Sequence, residues 1–272
     1  MAGSASKTRR RSNSIAVLSP RIVLIRDCLR CHFICVQAYE TEAAQEVLYP
    51  RLPCTSFEKP LMNNLRPESF RRVPMIQLEP PLRVASQADA SELAELVNFA
   101  GEGLPLYIWE GLAKDGQDPW EVGRARQIEK AREGQIVVVD FGDGAVASLT
   151  GYPIGSEPKP IGDDFPALFR PLQELENQAL ESWYVNVLAC YPEYRGQGLG
   201  SRLLHLAEQI AREEALRRIS VIVANNNAGA RRLYERHGYE VAATLPCVKD
   251  GWETDTEHWV LLIKTLRPVG GR

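Results

Sequence analysis

The segment that most constrains the fold runs from Tyr184 to Leu204 and reads YVNVLACYPEYRGQGLGSRLL. Its first seven residues, as far as Cys190, are mostly apolar, aromatic or β-branched, which is the composition of a buried strand. Pro192 ends this strand because proline has no N–H to donate to a ladder. Apolar residues at helical spacing follow the glycines. The segment therefore predicts a strand, a glycine-rich turn and the start of a helix.

The turn contains three glycines, Gly196, Gly198 and Gly200, each separated by one residue. Such a turn points backbone N–H groups into a hollow at the positive end of a helix, where an anion binds. The missing Cβ atoms let a phosphate approach the backbone. Three interpretations compete: an ordinary strand-to-helix connection, a dinucleotide site, and a cradle for the pyrophosphate of coenzyme A. The dinucleotide motif requires G-x-G-x-x-G, and the spacing G-x-G-x-G does not satisfy it.

A second motif begins about thirty residues after the turn and runs from Asn227 to Tyr239. It matches the pattern N-x-x-A-x-x-L-Y-x-x-x-G-[FY], and the turn itself, Arg195 to Gly200, matches Q/R-x-x-G-x-G/A. Together, in this order, the two motifs resemble the GNAT family of N-acetyltransferases over roughly residues 82–265. The resemblance implies an α/β fold with a mixed, mostly antiparallel central sheet and helices on both faces.

The order of elements along the chain agrees with that fold class. A first strand is expected at 82–85, followed by helices and then by a hairpin around the turn Gly142-Asp143-Gly144. A helix at about 172–179 leads into the central strand. The glycine turn, its helix, a buried strand at 219–224, a further helix and two closing strands complete the prediction. Strands and helices in this order form a mixed sheet covered on both faces.

The resemblance also implies which residues hold acetyl-CoA. The main chain of Leu188, Ala189 and Cys190 would pair with the pantetheine arm, and Asn227 would orient the cofactor or cap its helix. Amides of the turn would bind the pyrophosphate; the turn residues are Arg195, Gly196, Gln197, Gly198, Leu199 and Gly200. No metal is expected.

Tyr234 matches the family tyrosine that protonates the departing thiolate, although a tyrosine at this helical spacing can equally be a core residue. The general base is open. Candidates on or beside the central strand are Glu181, Tyr184 and Asn186; Glu110 and Glu121 are alternatives. A covalent mechanism through Cys190 is disfavoured because no histidine lies near it in sequence.

The resemblance therefore implies an N-acetyltransferase that transfers the acetyl group of acetyl-CoA to a primary amine, and we expect a small-molecule amine. The alternative is a non-catalytic sensor or interaction module that binds coenzyme A. An antibiotic-like amine, a protein N-terminus and a lysine remain open as acceptors. A homodimer is an open possibility.

Charge divides the chain into two unlike parts. Residues 1–74 carry 12 Lys and Arg against 6 Asp and Glu, whereas residues 75–272 carry 20 against 29. We expect residues 1–74 to be a disordered extension or to precede a true start at Met75, and residues 75–272 to form the acetyltransferase domain. The C-x-x-C-H motif at Cys28 is interpreted as coincidental. An acidic domain without a long apolar stretch predicts a cytoplasmic protein that binds neither nucleic acid nor membrane.

Overall fold

The computed structural model describes residues 76–267. The expectations for residues 1–74, including the C-x-x-C-H motif, lie outside this range. The strands are β1 (Leu82–Val84), β2 (Val137–Asp140), β3 (Ala145–Pro153), β4 (Ser182–Cys190), β5 (Arg218–Ala224), β6 (Glu240–Pro246) and β7 (His258–Thr265). The α-helices are α1 (Ala90–Ala100), α2 (Leu104–Leu112), α3 (Pro119–Arg132), α4 (Arg170–Glu176), α5 (Leu199–Glu213) and α6 (Ala228–Arg236).

The seven strands form one sheet in the order β1-β2-β3-β4-β5-β7-β6. Five of the six neighbouring pairs are antiparallel, and only β4 and β5 run parallel. Helices α5 and α6 pack on one face of the sheet, while α1 to α4 cover the other. The predicted fold class, a mixed and mostly antiparallel sheet with helices on both faces, is confirmed.

The predicted hairpin is present, and its turn is held by one carboxylate. Asp140 Oδ1 accepts hydrogen bonds from the backbone N–H groups of Gly142 at 2.6 Å and Gly144 at 3.1 Å. Both glycines have positive φ, 120° and 108°, which explains why the turn uses glycine at these two positions. The hairpin places β3 beside β4, so it supports one side of the central strand.

The helix before the central strand begins earlier than its pattern predicts. Helix α4 spans Arg170–Glu176 rather than 172–179, and the 3₁₀ turn Ala167–Phe169 precedes it. Pro171 lies in the first turn of α4, where its missing N–H costs no hydrogen bond and its fixed φ suits the helix. Pro171 therefore lies inside the first turn of the helix, whereas the apolar pattern placed the start of the helix after it. No helix within residues 76–267 combines the length and the apolar character needed to cross a bilayer.

A β-bulge in β4 shapes the centre of the sheet. Opposite β3, Val185 pairs with Gly151 and Val187 pairs with Thr150, so Asn186 has no partner. The extra residue reverses the alternation of side chains: Val185 packs with α5, whereas Val187 packs against α1 and α2 on the other face. A bulge bends its strand and increases the local twist. The parallel pairing of β4 with β5 ends at Val185, the last residue before the bulge.

Candidate active site

The divergence of β4 from β5 opens a groove with a volume of about 530 Å³, which we call the β4–β5 groove. Its walls are the ends of β4 and β5, the glycine turn and the first residues of α5 and α6. Of the predicted cofactor residues, the groove is lined by Leu188, Ala189, Cys190, Arg195, Gly196, Gly198, Leu199, Gly200 and Asn227. The structure thus brings together nearly all of the predicted cofactor-binding set.

The main chain of β4 faces this groove with unused donors. The Tyr191 N–H donates to Val146 O of β3 at 3.0 Å. Because alternate residues of a strand direct their N–H groups to the same neighbour, the N–H groups of Leu188 and Cys190 point the other way, toward β5. Pairing with β5 has already ended there. These donors are therefore available to a ligand in the groove.

The glycine turn presents the N-terminus of α5 to the same groove. Gly196 and Gly198 have φ values of +77° and +82°, and a Cβ on Gly200 would lie 2.9 Å from Leu233 Cδ2. Gly198 is the N-cap of α5, and within the described residues no side chain accepts a hydrogen bond at this cap. A helix N-terminus of this kind attracts an anion through its free amides and its dipole.

Two side chains of the turn are directed elsewhere. Arg195 lines the groove, but its Nε donates to Cys190 O at 3.2 Å, which fixes the guanidinium at the rim. Gln197 is exposed, donates to Glu193 O at 3.2 Å and does not line the groove. The anion site of the turn is therefore built mainly from backbone atoms.

Tyr234 lies in α6 with its side chain buried to 4% exposure, and it lines the groove. Burial raises the pKa of its hydroxyl above the ordinary value, which keeps the phenol protonated at neutral pH. Its ring packs 5.6 Å from the ring of Tyr239. The two interpretations of this residue are compatible, because Tyr234 belongs to the core and also faces the groove.

Asn227 connects the groove to the turn between α1 and α2. Its Oδ1 accepts from the Ala230 N–H at 3.0 Å and so caps α6, while its Nδ2 donates to Glu102 Oε1 at 2.6 Å. Glu102 has a φ of +54°, a conformation that glutamate rarely adopts. Sequence reasoning missed Glu102, since nothing in its local pattern indicates a contact 125 residues away.

A second cavity lies on the face of the sheet that α1 to α4 cover, with a volume of about 280 Å³. We call it the aromatic cavity, because Trp109, Tyr184 and Trp259 form its walls together with aliphatic residues of α1, α2 and α4. Both spaces are lined by Ala100, Asn186 and Ile222. The aromatic cavity and the β4–β5 groove therefore meet at the β4 bulge.

Asn186 marks this junction. Its Nδ2 is buried and has no hydrogen-bond partner within residues 76–267. A buried donor without a partner is destabilising by about 1–3 kcal/mol, so such atoms are often found where a ligand supplies the missing acceptor. The bulge directs this side chain toward the space that both cavities share.

The remaining candidate bases lie away from the junction. Glu181 is exposed, lies directly before the first residue of β4 and lines neither cavity. Glu110 in α2 and Glu121 in α3 are also exposed and line neither cavity. Tyr184 lines the aromatic cavity rather than the groove. Burial raises the pKa of the Cys190 thiol, which disfavours the thiolate that a covalent mechanism requires.

A family model described as the acetyltransferase (GNAT) family matches residues 106–239. Residues 106–239 are therefore a GNAT acetyltransferase domain, and the protein is an acetyl-CoA-dependent acetyltransferase. The match begins in α2 and ends just before β6, so it includes the glycine turn, the β4 bulge and Tyr234. Among the described residues, no group of three or more histidine, cysteine or acidic side chains is arranged to hold a metal ion.

Several solved structures are similar to this chain. A mosquito arylalkylamine N-acetyltransferase like 5b is 19% identical with a TM-score of 0.49, covering 68% of this chain and 99% of that one. A ribosomal-protein-alanine N-acetyltransferase from Brucella melitensis is 22% identical with a TM-score of 0.45, at 68% and 99% coverage. A GNAT family acetyltransferase from Elizabethkingia anophelis with acetyl-CoA bound is 14% identical with a TM-score of 0.36, at 48% and 75% coverage. Comparison with curated protein sequences finds no match.

Proposed function

We propose that this protein transfers the acetyl group of acetyl-CoA to a primary amine of a small molecule. The observation that carries the proposal is the meeting of two unlike spaces at Asn186. One is a groove lined by main-chain donors and a glycine turn, which suits a pantetheine arm and its pyrophosphate. The other is a small aromatic cavity, which suits the acceptor.

The groove has the features that a coenzyme A site requires. The Cys190 N–H would donate to an amide carbonyl of the pantetheine arm, and the amides after Gly198 would bind the pyrophosphate. Side chains at Gly198 and Gly200 would occupy or distort this cradle. Arg195, held at the rim, would add positive charge beside the phosphates.

The Leu188 N–H and Asn186 Nδ2 would stabilise the negative charge that develops on the thioester oxygen. Preorganised donors of this kind contribute about 3 kcal/mol each to transition-state stabilisation. The neutral amine attacks the carbonyl carbon, the C–N bond forms, and the C–S bond breaks as the tetrahedral intermediate collapses. Tyr234 donates its proton to the departing sulfur and is restored from solvent.

The proton that the nitrogen loses passes to water in the aromatic cavity. Glu129 and Glu133 are the carboxylates that line this cavity, both near the C-terminal end of α3. We do not assign the base to Glu181, because Asn186 lies five residues further along the extended strand, a distance of about 16 Å. Tyr184 is proposed as a wall of the acceptor site.

The alternative function is a coenzyme A-binding module without turnover. It requires the groove but gives no reason for a protonated tyrosine beside it or for a second cavity at the junction. The presence of both favours the enzyme.

Titration of the purified protein with acetyl-CoA and a panel of primary amines tests the proposal. We expect calorimetry to show acetyl-CoA binding and a thiol reagent to detect one free thiol per amide formed. Binding without thiol release for every amine would favour the module instead. Absence of acetyl-CoA binding would contradict both.

Three further expectations stand as proposals: residues 75–272 form the catalytic domain, the protein pairs as a homodimer, and it acts in the cytoplasm. Size-exclusion chromatography with light scattering tests the second. Activity of a chain that begins at residue 75, compared with the full chain, tests the first.

A further inference from the structure

We propose that the acceptor is a primary amine carried on a flat, apolar body, such as an aromatic ring joined to the amine by a short alkyl chain. This inference rests on the proposed function and names the class of its acceptor. It is carried by the walls of the aromatic cavity and by the position of its opening toward Asn186.

Each of the three rings that line the cavity is packed against a second ring outside it. Centroid distances within these pairs are 5.3–6.2 Å, the range in which aromatic pairs attract. The pairs, with the lining ring first, are Trp109 with Trp120, Tyr184 with Tyr152, and Trp259 with Trp252.

This second layer fixes the orientation of the lining rings before any ligand binds. Trp109 is 4% exposed and Trp259 is 5% exposed, so neither ring can rotate freely into solvent. A preorganised aromatic wall binds a flat apolar group with little loss of side-chain entropy. It does not adapt to a bulky or branched group.

A close contact with the backbone of α3 holds Trp109 in place. A Cβ atom on Gly123 would lie 2.6 Å from Trp109 Cζ3, closer than side-chain atoms approach one another. The ring therefore packs directly on the helix backbone. Any side chain at Gly123 would displace the indole from its present position in the cavity wall.

The charges of the cavity come from a single helix. Its four charged side chains belong to α3 and the residue after it, and they are Arg126, Glu129, Lys130 and Glu133. Apart from Gln127 of the same helix and Asn186, the rest of the lining is aromatic or aliphatic or is glycine. An amine that reaches Asn186 therefore has its body against mainly apolar walls.

A polypeptide acceptor fits this space poorly. The volume of about 280 Å³ lies at the lower limit for small-molecule sites, and a peptide backbone would bury amide groups against apolar walls. A lysine side chain or a protein N-terminus would bring such a backbone with it. The aromatic and aliphatic walls are suited to a molecule whose body is apolar and which carries its amine at one end.

The test measures kcat/KM by thiol release for 2-phenylethylamine, ethylamine and a short lysine-containing peptide with the full chain. We expect 2-phenylethylamine to exceed ethylamine by at least about 30-fold, because the ring buries its apolar surface between the aromatic walls. The peptide should be the poorest acceptor. Equal values for the two amines, or preference for the peptide, would overturn the inference and leave the acetyltransferase proposal standing.

Two matched substitutions sharpen the test. Gly123→Ala displaces Trp109 and should lower kcat/KM for 2-phenylethylamine at least about tenfold, with a smaller change for ethylamine. Gly111→Ala is the control, since Gly111 also lies within a helix and a Cβ there meets no atom within 4 Å. Equal effects of Gly123→Ala on both amines would contradict the assigned role of Trp109.

Failure of the proposed function gives a different result. If no amine releases thiol, calorimetry of 2-phenylethylamine in the presence of coenzyme A tests the cavity by itself. Saturable binding of 2-phenylethylamine that Gly123→Ala weakens would support the proposed class of ligand even though the protein does not acetylate it. No binding would overturn it together with the function.

Discussion

The β4–β5 groove and the aromatic cavity share Ala100, Asn186 and Ile222 but are built in opposite ways. The groove is formed mainly by the end of β4 with its glycine turn, by β5 and by α6, and its anion site consists mainly of main-chain atoms. The cavity uses side chains from α1, α2, α3, α4 and three strands, between residues 97 and 259. A site made from backbone binds a common cosubstrate, whereas a site made from side chains can change its specificity without altering the fold.

The same contrast appears in how each site tolerates substitution. The groove depends on glycines, so a substitution there acts by changing the backbone conformation or by blocking the access of the cosubstrate. The cavity depends on rings that pack in two layers, so a change there alters shape. We expect the predictions below to separate effects on the cosubstrate from effects on the acceptor.

The largest effect is expected at the proton donor. Tyr234→Phe removes the hydroxyl but keeps the ring, so kcat should fall by about 100-fold or more while the Kd of acetyl-CoA changes less than about twofold. Stopped-flow thiol release and calorimetry measure the two quantities. A full kcat in this variant would show that solvent protonates the leaving sulfur.

Tyr239→Phe is the matched control. The Tyr239 hydroxyl is buried next to Tyr234 and has no hydrogen-bond partner. Removing an unsatisfied buried group should leave kcat unchanged and raise the free energy of unfolding by about 1 kcal/mol. Denaturant unfolding measures this change, and a loss of stability would show that the hydroxyl has a partner in solution.

The next effect is expected in the groove alone. Gly198→Glu places a carboxylate at the N-terminus of α5 and requires a positive φ of a residue that disfavours it. The Kd of acetyl-CoA should rise by about 100-fold, or about 2.7 kcal/mol. Calorimetry measures it.

Gly116→Glu is the control for that substitution. Gly116 has a φ of +77°, close to that of Gly198, and likewise has no neighbour within 4 Å of its expected Cβ. It lies between α2 and α3 and lines neither cavity. Gly116→Glu should introduce the same backbone strain and the same charge but leave the Kd of acetyl-CoA unchanged. An equal loss of acetyl-CoA binding in Gly116→Glu and Gly198→Glu would contradict an anion site at the glycine turn.

A comparable effect is expected at the junction. Asn186→Ala should lower kcat by about 100-fold without reducing the free energy of unfolding, because the Nδ2 atom has no partner among the described residues. Asn98→Ala offers the contrast, since Asn98 Oδ1 accepts from the Leu106 N–H at 3.0 Å and its loss should destabilise the fold by about 1 kcal/mol. If Asn186→Ala destabilises as much as Asn98→Ala, the junction amide has a structural rather than a ligand-binding role.

The smallest effect is expected at the contact between the α1–α2 turn and the groove. Glu102→Ala removes the bond to Asn227 and should raise both the Kd of acetyl-CoA and the KM of the amine about threefold, because the turn borders both sites. Glu102→Gln keeps an acceptor for Asn227 and should restore both values. Glu102→Gly should keep the kinetic defect while gaining about 1 kcal/mol in stability over the alanine variant, since glycine tolerates the positive φ. Identical kinetic constants in the alanine, glutamine and glycine variants would contradict a role of the Glu102–Asn227 hydrogen bond in either site.

Most of the groove could be predicted from the sequence because its parts are local. Glycines 196, 198 and 200 and the motif from Asn227 to Tyr239 lie close to one another along the chain, and each has a direct backbone consequence. The hairpin at Gly142 was predictable for the same reason. The start of α4 was wrong by two residues, since the apolar pattern did not include the role of Pro171 as a first-turn residue.

The aromatic cavity and the link through Glu102 could not be predicted in the same way. Tyr184 is predicted from the sequence as a candidate base on the central strand. The bulge at Asn186 places Tyr184 and Val187 on the same face of the sheet, where simple alternation would separate them. Glu102 contacts a residue 125 positions away. Such facts depend on register and packing, which a local pattern does not contain.

By itself, the sequence determined the order of strands and helices, the glycine turn and the position of Tyr234 in its helix, because backbone conformation and periodicity depend on neighbouring residues. Only the tertiary structure decided where β4 parts from β5, which rings line the second cavity, and that Asn186 lines both spaces. These features arise when segments far apart in the chain pack together. The physical reason is that side-chain contacts across a sheet follow from its register, and one extra residue in a strand is enough to change it.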